Sequence, residues 1–242
     1  MKTIKLELND LSRLLRAVPS TVMVFFCMSV ILMNLMANKE IGLNLSWLAL
    51  DCGFCLSWMS FLCMDMLTKR FGPKAAIKLS LTAVAFSAFG CLIFKIISIM
   101  PGNWSEFYTY GDEIVNNALN KTIGGTWYVV LGSMIAFVCS AVINALINHS
   151  IGQMMKKDNF RAYAARSYVS TMVAQFFDNL IFALLVSHVF FGWSMLQCVT
   201  CAITGAVAEL LCEVVFSPIG FKVCQKWEED KVGEEYLKEA SV

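Results

Sequence analysis

Four residues in the middle of one apolar stretch carry most of the polar chemistry of this sequence. Gln175, Asp178, Asn179 and Phe182 stand at i, i+3, i+4 and i+7, so a helix places them on one face. Residues 166–188 around them are long enough to cross a bilayer, which takes about 20 residues. A carboxylate near the bilayer centre costs about 3 kcal/mol and faces a bundle interior or a wet cavity. We therefore predict that this face forms the floor of a substrate site; the alternative is that Asp178 only pairs with a neighbouring helix.

The residue types on this face limit the class of solute. A carboxylate can accept two parallel N–H bonds, and the amides of Asn and Gln both donate and accept. Aromatic side chains such as Trp58 and Phe182 could cover a flat ring. A planar, amide-like heterocycle such as a purine analogue suits these groups, although other vitamins would suit them too. Residue spacing alone indicates a carrier of a small polar solute.

Other polar residues inside apolar stretches extend the predicted site. We assign Asn34, near the end of the first apolar stretch, and Glu209, in the last one, to substrate binding. Polar groups from several helices can together replace the hydration shell of a solute, as a transporter requires. Because no basic residue is predicted near the bilayer centre to pair with these carboxyl groups, we predict that their pKa values are shifted. Glu209 or Asp178 is then the candidate for proton coupling.

Three charged residues are predicted to have structural or gating roles. These are Asp65, Arg166 and Glu213. Asp65 stands four and five residues before Lys69 and Arg70, and the sequence leaves open whether it simply neutralises these cations. Glu209 and Glu213 lie one turn apart, and we predict that one of them is protonated or paired with Arg166.

Composition indicates a membrane protein and excludes several other classes. Hydrophobic residues make up 58% of the chain and charged residues 15%, with a net charge of +1. This charge gives no case for nucleic-acid binding. No HExxH, GxSxG or Walker motif is present, so we predict no enzyme activity, no catalytic residues and no cofactor. Two CxxC pairs, at Cys52 and Cys198, fall inside predicted helices, and we predict no metal site there.

The hydropathy pattern predicts an all-α, polytopic fold with six transmembrane helices. Residues 1–18 form a basic cytoplasmic lead, 19–224 the transmembrane domain and 225–242 a charged cytoplasmic tail. Lys and Arg collect at both termini and in two alternate turns, which indicates that both termini lie in the cytoplasm of a multi-pass protein in the plasma (inner) membrane. The predicted spans cover residues 19–38, 45–67, 74–100, 127–154, 166–188 and 195–224.

Several motifs occur in an order that resembles one known family. They are Asn34-Leu-Met-Ala-Asn38-Lys39, then Phe61-Leu-Cys-Met-Asp65 with Phe71-Gly72, then Arg166-Ser-Tyr-Val-Ser170-Thr171 and Gln175-Phe-Phe-Asp178-Asn-Leu-Ile181-Phe182. Together they resemble the vitamin uptake transporter family, also called queuosine precursor transporters. The last span, ending in Ser217-Pro218, matches less specifically.

The resemblance implies import of 7-deazaguanine bases or queuine for tRNA modification. It also implies a fold similar to the substrate-binding subunits of energy-coupling-factor transporters. Lys69, Phe71 and Asp51 depart from the family pattern, which leaves the individual base open. The alternative is a binding subunit that hands another vitamin-like heterocycle to a separate ATPase module. A homo-oligomer or such a module is therefore expected as a partner beside the small-molecule substrate and the lipid bilayer.

Overall fold

The computed structural model describes residues 2–111, 113–155 and 159–240, and most of these residues are helical. Lys156 and Lys157, which contribute to the predicted orientation, lie outside the described residues. A π-helical turn, Ala183–Ser187, joins the helices Phe160–Phe182 and His188–Phe190. In chain order the elements are α1 (Lys2–Ala17), α2 (Ser20–Met36), β1 (Glu40–Ile41), β2 (Leu50–Asp51), α3 (Phe54–Phe71), α4 (Pro73–Ile99), α5 (Ser105–Tyr110), α6 (Glu113–Gly125), α7 (Trp127–Met154), α8 (Phe160–Phe182), α9 (His188–Phe190), α10 (Met195–Glu229) and α11 (Glu234–Ala240).

The long helices form one bundle around α3. α7 packs against α4 and α8, α10 packs against α8 and α3, and α2 packs against α3 and α4. Phe61 of α3 contacts the ring of Phe137 on α7, which in turn contacts Phe26 on α2. Because α3 is covered on most sides, its residues from Ser60 to Thr68 are all buried. A helix in this position needs no continuous apolar surface for lipid.

Length and composition confirm a multi-pass, all-α membrane protein. Among the described residues, four helical segments are long and apolar enough to span a bilayer: Pro73–Ile99, Glu113–Met154, Phe160–Phe190 and Met195–Glu229. These correspond to the last four predicted spans. The pair Leu6–Ala17 and Ser20–Met36, bent by 111°, is a fifth candidate.

The second predicted span begins later than the sequence pattern indicates. The apolar run from residue 45 suggested a helix to residue 67, but α3 begins only at Phe54. The residues before it form a turn and a small antiparallel hairpin, in which Ile41 pairs with Leu50 and Glu40 with Asp51. Asp51 and Cys52 therefore precede the helix rather than lie inside it.

Local backbone chemistry fixes where α3 ends and α4 begins. Gly72 has φ +86°, a backbone conformation that residues with a Cβ rarely adopt. Pro73 follows at the first helical position of α4, where a missing N–H costs nothing. The chain therefore reverses direction within these two residues.

The two ends of the bundle differ in structure. We call the end that carries β1, β2 and the loop through Trp193 the hairpin end. Trp193 donates from Nε1 to Glu40 Oε2 (3.4 Å), which ties that loop to the hairpin. We call the other end, where α1 contacts α11, the terminal end; an ion pair between Arg13 and Glu239 joins these two helices.

Candidate substrate site

A narrow cavity of about 30 Å³ lies between α2, α3, α7, α8 and α10 next to the β-hairpin. Small-molecule sites span about 300–1,000 Å³, so a flat ring would bind here only with movement of the lining side chains. The polar lining comes from Asp51, Ser57, Ser133, Asp178, Asn179 and Glu209.

Asp178 lies half-buried on the cavity wall formed by α8. Its Oδ1 accepts a hydrogen bond from Ser140 Oγ on α7 (2.7 Å). Among the described residues no hydrogen bond reaches its second carboxylate oxygen. A carboxylate held by one neighbour and facing a cavity with the other oxygen is placed to accept a donor from a solute.

Glu209 faces Asp178 from α10. Its Oε1 accepts a hydrogen bond from Ser57 Oγ on α3, and its Oε2 accepts one from Asn179 Nδ2 (3.4 Å). α10 can approach α8 this closely because residue 205 is glycine: a Cβ there would lie 2.7 Å from Asn179 Nδ2. The structure thus brings Asp178, Asn179 and Glu209 together, as the sequence predicts for one site.

The two predicted aromatic residues occupy different places. Phe182 is buried and lines the cavity, directly before the π-helical turn of the same helix. Trp58 stacks on Phe216 of α10, with ring centroids 4.4 Å apart, and its Nε1 donates to Cys55 O (2.9 Å). It is not part of the cavity lining.

Asn34 connects three helices behind the cavity. Its Nδ2 donates to Ser87 Oγ on α4 (2.8 Å), and its Oδ1 accepts from Ser133 Oγ on α7. Ser133 in turn lines the cavity. Asn34 is therefore placed to orient a wall residue rather than to reach the cavity directly.

Gln175 is fully buried, and neither its Nε2 nor its Oε1 has a hydrogen-bond partner among the described residues. It lies one turn before Asp178 on α8, on the same face of the helix. An unpaired buried amide costs about 1–3 kcal/mol and calls for an explanation. A solute or a water molecule that enters from the cavity could provide its partners.

The charged residues assigned to structural or gating roles lie nearer the terminal end. Asp65 does not depend on the neighbouring cations of α3 for its hydrogen bonds: it accepts from Asn144, Ser167 and Thr171. Lys69 Nζ contacts Glu228 Oε1 (2.8 Å). Arg70 donates to Val232 O from Nε (3.0 Å) and Nη2 (2.7 Å).

Arg166 does not pair with Glu213. Its guanidinium lies over the ring of Tyr163, 5.5 Å from the centroid, and its buried Nε and Nη2 have no hydrogen-bond partner in the described part of the chain. Glu213 accepts from Ser167 on α8 instead.

Sequence reasoning missed three serines and the role of one aspartate. Ser57, Ser133 and Ser140 supply hydroxyl groups to the site or its carboxylates. Ser133 and Ser140 are seven residues apart on α7 and continue to Asn144, so their helical spacing was a usable signal. Asp51 lines the cavity from the hairpin, outside the spanning helices; its Oδ1 accepts from Gly53 N (2.7 Å), and burial raises its pKa to about 6.

The arrangement provides acceptors and amides, not a catalytic or metal centre. Among the described residues no group of three or more His, Cys, Asp or Glu side chains is placed to hold a metal ion. Three carboxyl groups, one amide and two phenyl rings line the cavity, and such a set can bind a flat solute with N–H donors.

Comparison with known proteins agrees with the resemblance seen in the motifs. The sequence profile of the family described as "Putative vitamin uptake transporter" matches residues 51–223. A protein of Bacillus subtilis (strain 168) described as "Probable queuosine precursor transporter" is 29% identical over 122 residues, covering 50% of this chain and 49% of the relative. The match thus spans about half the length of that relative, and no solved structure matches the chain. The chain therefore belongs to the vitamin uptake transporter family.

Proposed function

We propose that this protein imports queuosine precursors, 7-deazaguanine bases or queuine, across the plasma membrane for tRNA modification. The observation that carries the proposal is the convergence of Asp178, Asn179 and Glu209 on one cavity beside Phe182. The description of the Bacillus subtilis relative supports the choice of substrate.

The chemistry of the base matches the groups around the cavity. A guanine-like edge presents an N–H and an adjacent NH2, which one carboxylate can accept as a pair of parallel hydrogen bonds. Asp178 is the better candidate for this pair because one of its oxygens lacks a partner among the described residues, whereas Glu209 already accepts from Ser57 and Asn179. Phe182 would cover the ring face.

The remaining predicted binding residues receive supporting roles. Gln175 would gain partners when the substrate and its water enter, and Asn34 would hold Ser133 in place. Trp58 would act through its stacking on Phe216, which joins α3 to α10.

The small residues of α4 do not identify a coupling surface for an ATPase module. Ala83 and Ser87 are buried, and Ser87 accepts a hydrogen bond from Asn34, whereas Ala85 is exposed. Ala83 and Ser87 are therefore not available to a partner. We therefore keep the fold similarity to energy-coupling-factor subunits as part of the proposal without assigning a module.

A strain that cannot synthesise the base tests the substrate and the site together. It would express the wild type or Asp178→Asn and be fed each 7-deazaguanine precursor, and the readouts are initial uptake of the precursor and queuosine in tRNA. We expect wild type to restore queuosine and Asp178→Asn to lose at least about tenfold in initial uptake, equivalent to about 1.4 kcal/mol of binding.

The matched control is Asp230→Asn, the same chemical change at the exposed end of α10. It should restore queuosine as well as wild type. Wild-type protein that reaches the membrane and yet restores no queuosine with any precursor would exclude this substrate class.

A further inference from the structure

A second polar cluster lies nearer the terminal end than the substrate cavity does. It has no role in the proposed recognition of the substrate. Asp65 on α3 and Glu213 on α10 are both fully buried and lie on either side of Ser167 on α8. Asp65 also accepts from Asn144 Nδ2 (2.6 Å) on α7 and from Thr171 Oγ1 (3.3 Å) on α8. The cluster therefore joins four helices of the bundle.

Counting hydrogens shows that the cluster holds a proton. The Ser167 hydroxyl contacts both carboxyl groups, but it has only one hydrogen and can donate to only one of them. The contact with the other carboxyl is a hydrogen bond only if that carboxyl carries a proton and donates to Ser167. Two buried carboxylates that both contact one hydroxyl group also repel each other, which favours one proton shared between them.

Two further acceptors in the cluster lack a donor. Glu213 Oε2 and Asn144 Oδ1 are buried without a hydrogen-bond partner among the described residues. Both are acceptors, so what the cluster lacks is a donor.

The surrounding charges do not replace this proton. Arg166 lies over Tyr163, and its Nε and Nη2 have no partner within residues 2–111, 113–155 and 159–240; Lys69 contacts Glu228 nearer the terminal end. α7 faces the pair with the uncharged Asn144. The titratable and charged groups around the pair are Lys69 on α3, Tyr163 and Arg166 on α8, and Glu209, Cys224 and Glu228 on α10.

We propose that Asp65 and Glu213 form a proton-binding site that couples proton entry to solute import. The coupling part of this inference rests on the proposed transport function; the presence of the bound proton does not. Only O–H bonds change: a proton from the more acidic side binds a carboxylate oxygen, and it later leaves from the pair to water on the other side. No oxidant or reductant is needed.

The fold gives a direct route for coupling. Glu209 in the substrate cavity and Glu213 in the pair lie on α10 four residues apart, about 6 Å along the helix. α8 likewise carries Asp178 at the substrate cavity and Ser167 and Thr171 at the Asp65–Glu213 pair. Any shift of α10 against α8 on substrate binding therefore changes both sites.

Transport by purified protein in liposomes tests the coupling. The substrate is the base that restores queuosine, and each variant is assayed for exchange without a gradient and for accumulation with the outside one pH unit more acidic. We expect wild type to accumulate the base about tenfold for a one-proton cycle, since one pH unit is a tenfold proton ratio. Asp65→Asn and Glu213→Gln should exchange the base but not accumulate it above equilibrium.

Three results would overturn the coupling: accumulation by both variants equal to wild type, no effect of the pH gradient on wild type, or accumulation driven by a sodium gradient instead. Asp230→Asn is the control and should accumulate like wild type, because it makes the same change far from the pair.

A second measurement decides the proton site even if the base is not a substrate. Infrared difference spectra of wild type minus Glu213→Gln at neutral pH should contain the carbonyl band of a protonated carboxylic acid. Its absence from both this difference spectrum and that of wild type minus Asp65→Asn would exclude a shared proton. Failure of base exchange by wild type together with this band would therefore refute the proposed substrate and not the proton site.

Discussion

At the scale of single residues, Asp51 gives a pH-dependent stability that can be measured. It lies in the hairpin, where burial raises its pKa to about 6 from an unfolded value near 3.9. A raised carboxyl pKa means that the folded state favours the protonated form, so its stabilising effect is complete below about pH 4 and is lost as the pH rises through 6. Asp51→Asn keeps the oxygen that accepts from Gly53 N but cannot ionise. We expect this variant to be more stable than wild type at pH 8, by at most about 3 kcal/mol, and equal to it at pH 4.

Thermal unfolding of the purified protein, followed at both pH values, measures this difference. Asp230→Asn serves as the control because that carboxyl is exposed, and its stability relative to wild type should not change between pH 4 and pH 8. A variant at position 51 that is less stable than wild type at pH 8 would show that the ionised carboxylate is favoured in the hairpin.

At the scale of elements, the sequence predicts the long helices well and their ends less well. The predicted limits of α7 agree with the structure because Trp127 and Met154 bound a continuous apolar run. The start of α3 was predicted too early because the apolar residues from 45 onward fold into the hairpin. Its Ala49 is fully buried in a cluster with Trp193, and Trp47 O accepts from Thr200 Oγ1 (2.7 Å). These contacts join segments about 150 residues apart, and no local pattern encodes them.

The candidate site shows the same division. The shared face of Gln175, Asp178 and Phe182 follows from helical spacing alone. The orientation of Trp58 does not, because it depends on how α3 is rotated against α10. Ser57 and Phe61 are buried and lie four residues apart, so they mark the face of α3 that turns toward the inside of the bundle.

The amphipathic helix α1 is expected to lie in the plane of the membrane surface. It meets α2 at 111°, so it cannot continue that span. Its Leu8 is 62% exposed and lines a groove with Lys78 and Leu81 of α4. Its acidic residues Glu7 and Asp10 form ion pairs with Lys78. A helix with one apolar and one charged face inserts its apolar side to the depth of the lipid headgroups.

Tryptophan at two neighbouring positions tests this placement of α1. We expect the fluorescence of Leu8→Trp in lipid bilayers to be quenched strongly by brominated lipids. Asn9→Trp, one position along and 100° around the helix, should be quenched much less after correction for the native tryptophans. Equal quenching at both positions would place α1 away from the membrane surface.

At the scale of the whole molecule, the contact between the two chain ends constrains the number of membrane crossings. α1 and α11 pack against each other, so both lie at the terminal end. A chain whose ends lie on one side crosses the membrane an even number of times. If each of the four long, apolar helical segments crosses once, α2 and α3 must either both cross or both not cross. Because both run between the terminal and hairpin ends of the same bundle, we expect six crossings.

Labelling of introduced cysteines from one side of the membrane measures this parity. The background replaces the exposed Cys55 and Cys139 by serine. Gly42→Cys in the hairpin, where a Cβ meets nothing within 4 Å, should react with an impermeant maleimide in intact cells. Asn9→Cys in α1 and Glu235→Cys in α11 should react only after the cells are opened, since basic residues such as Lys69, Arg70 and Lys222 collect at that end. Reaction of Asn9→Cys and Glu235→Cys from opposite sides would require an odd number of crossings and would separate the two helices that the structure packs together. Reaction of both from outside would instead reverse the orientation. The substrate cavity beside the hairpin would then open toward the cytoplasm.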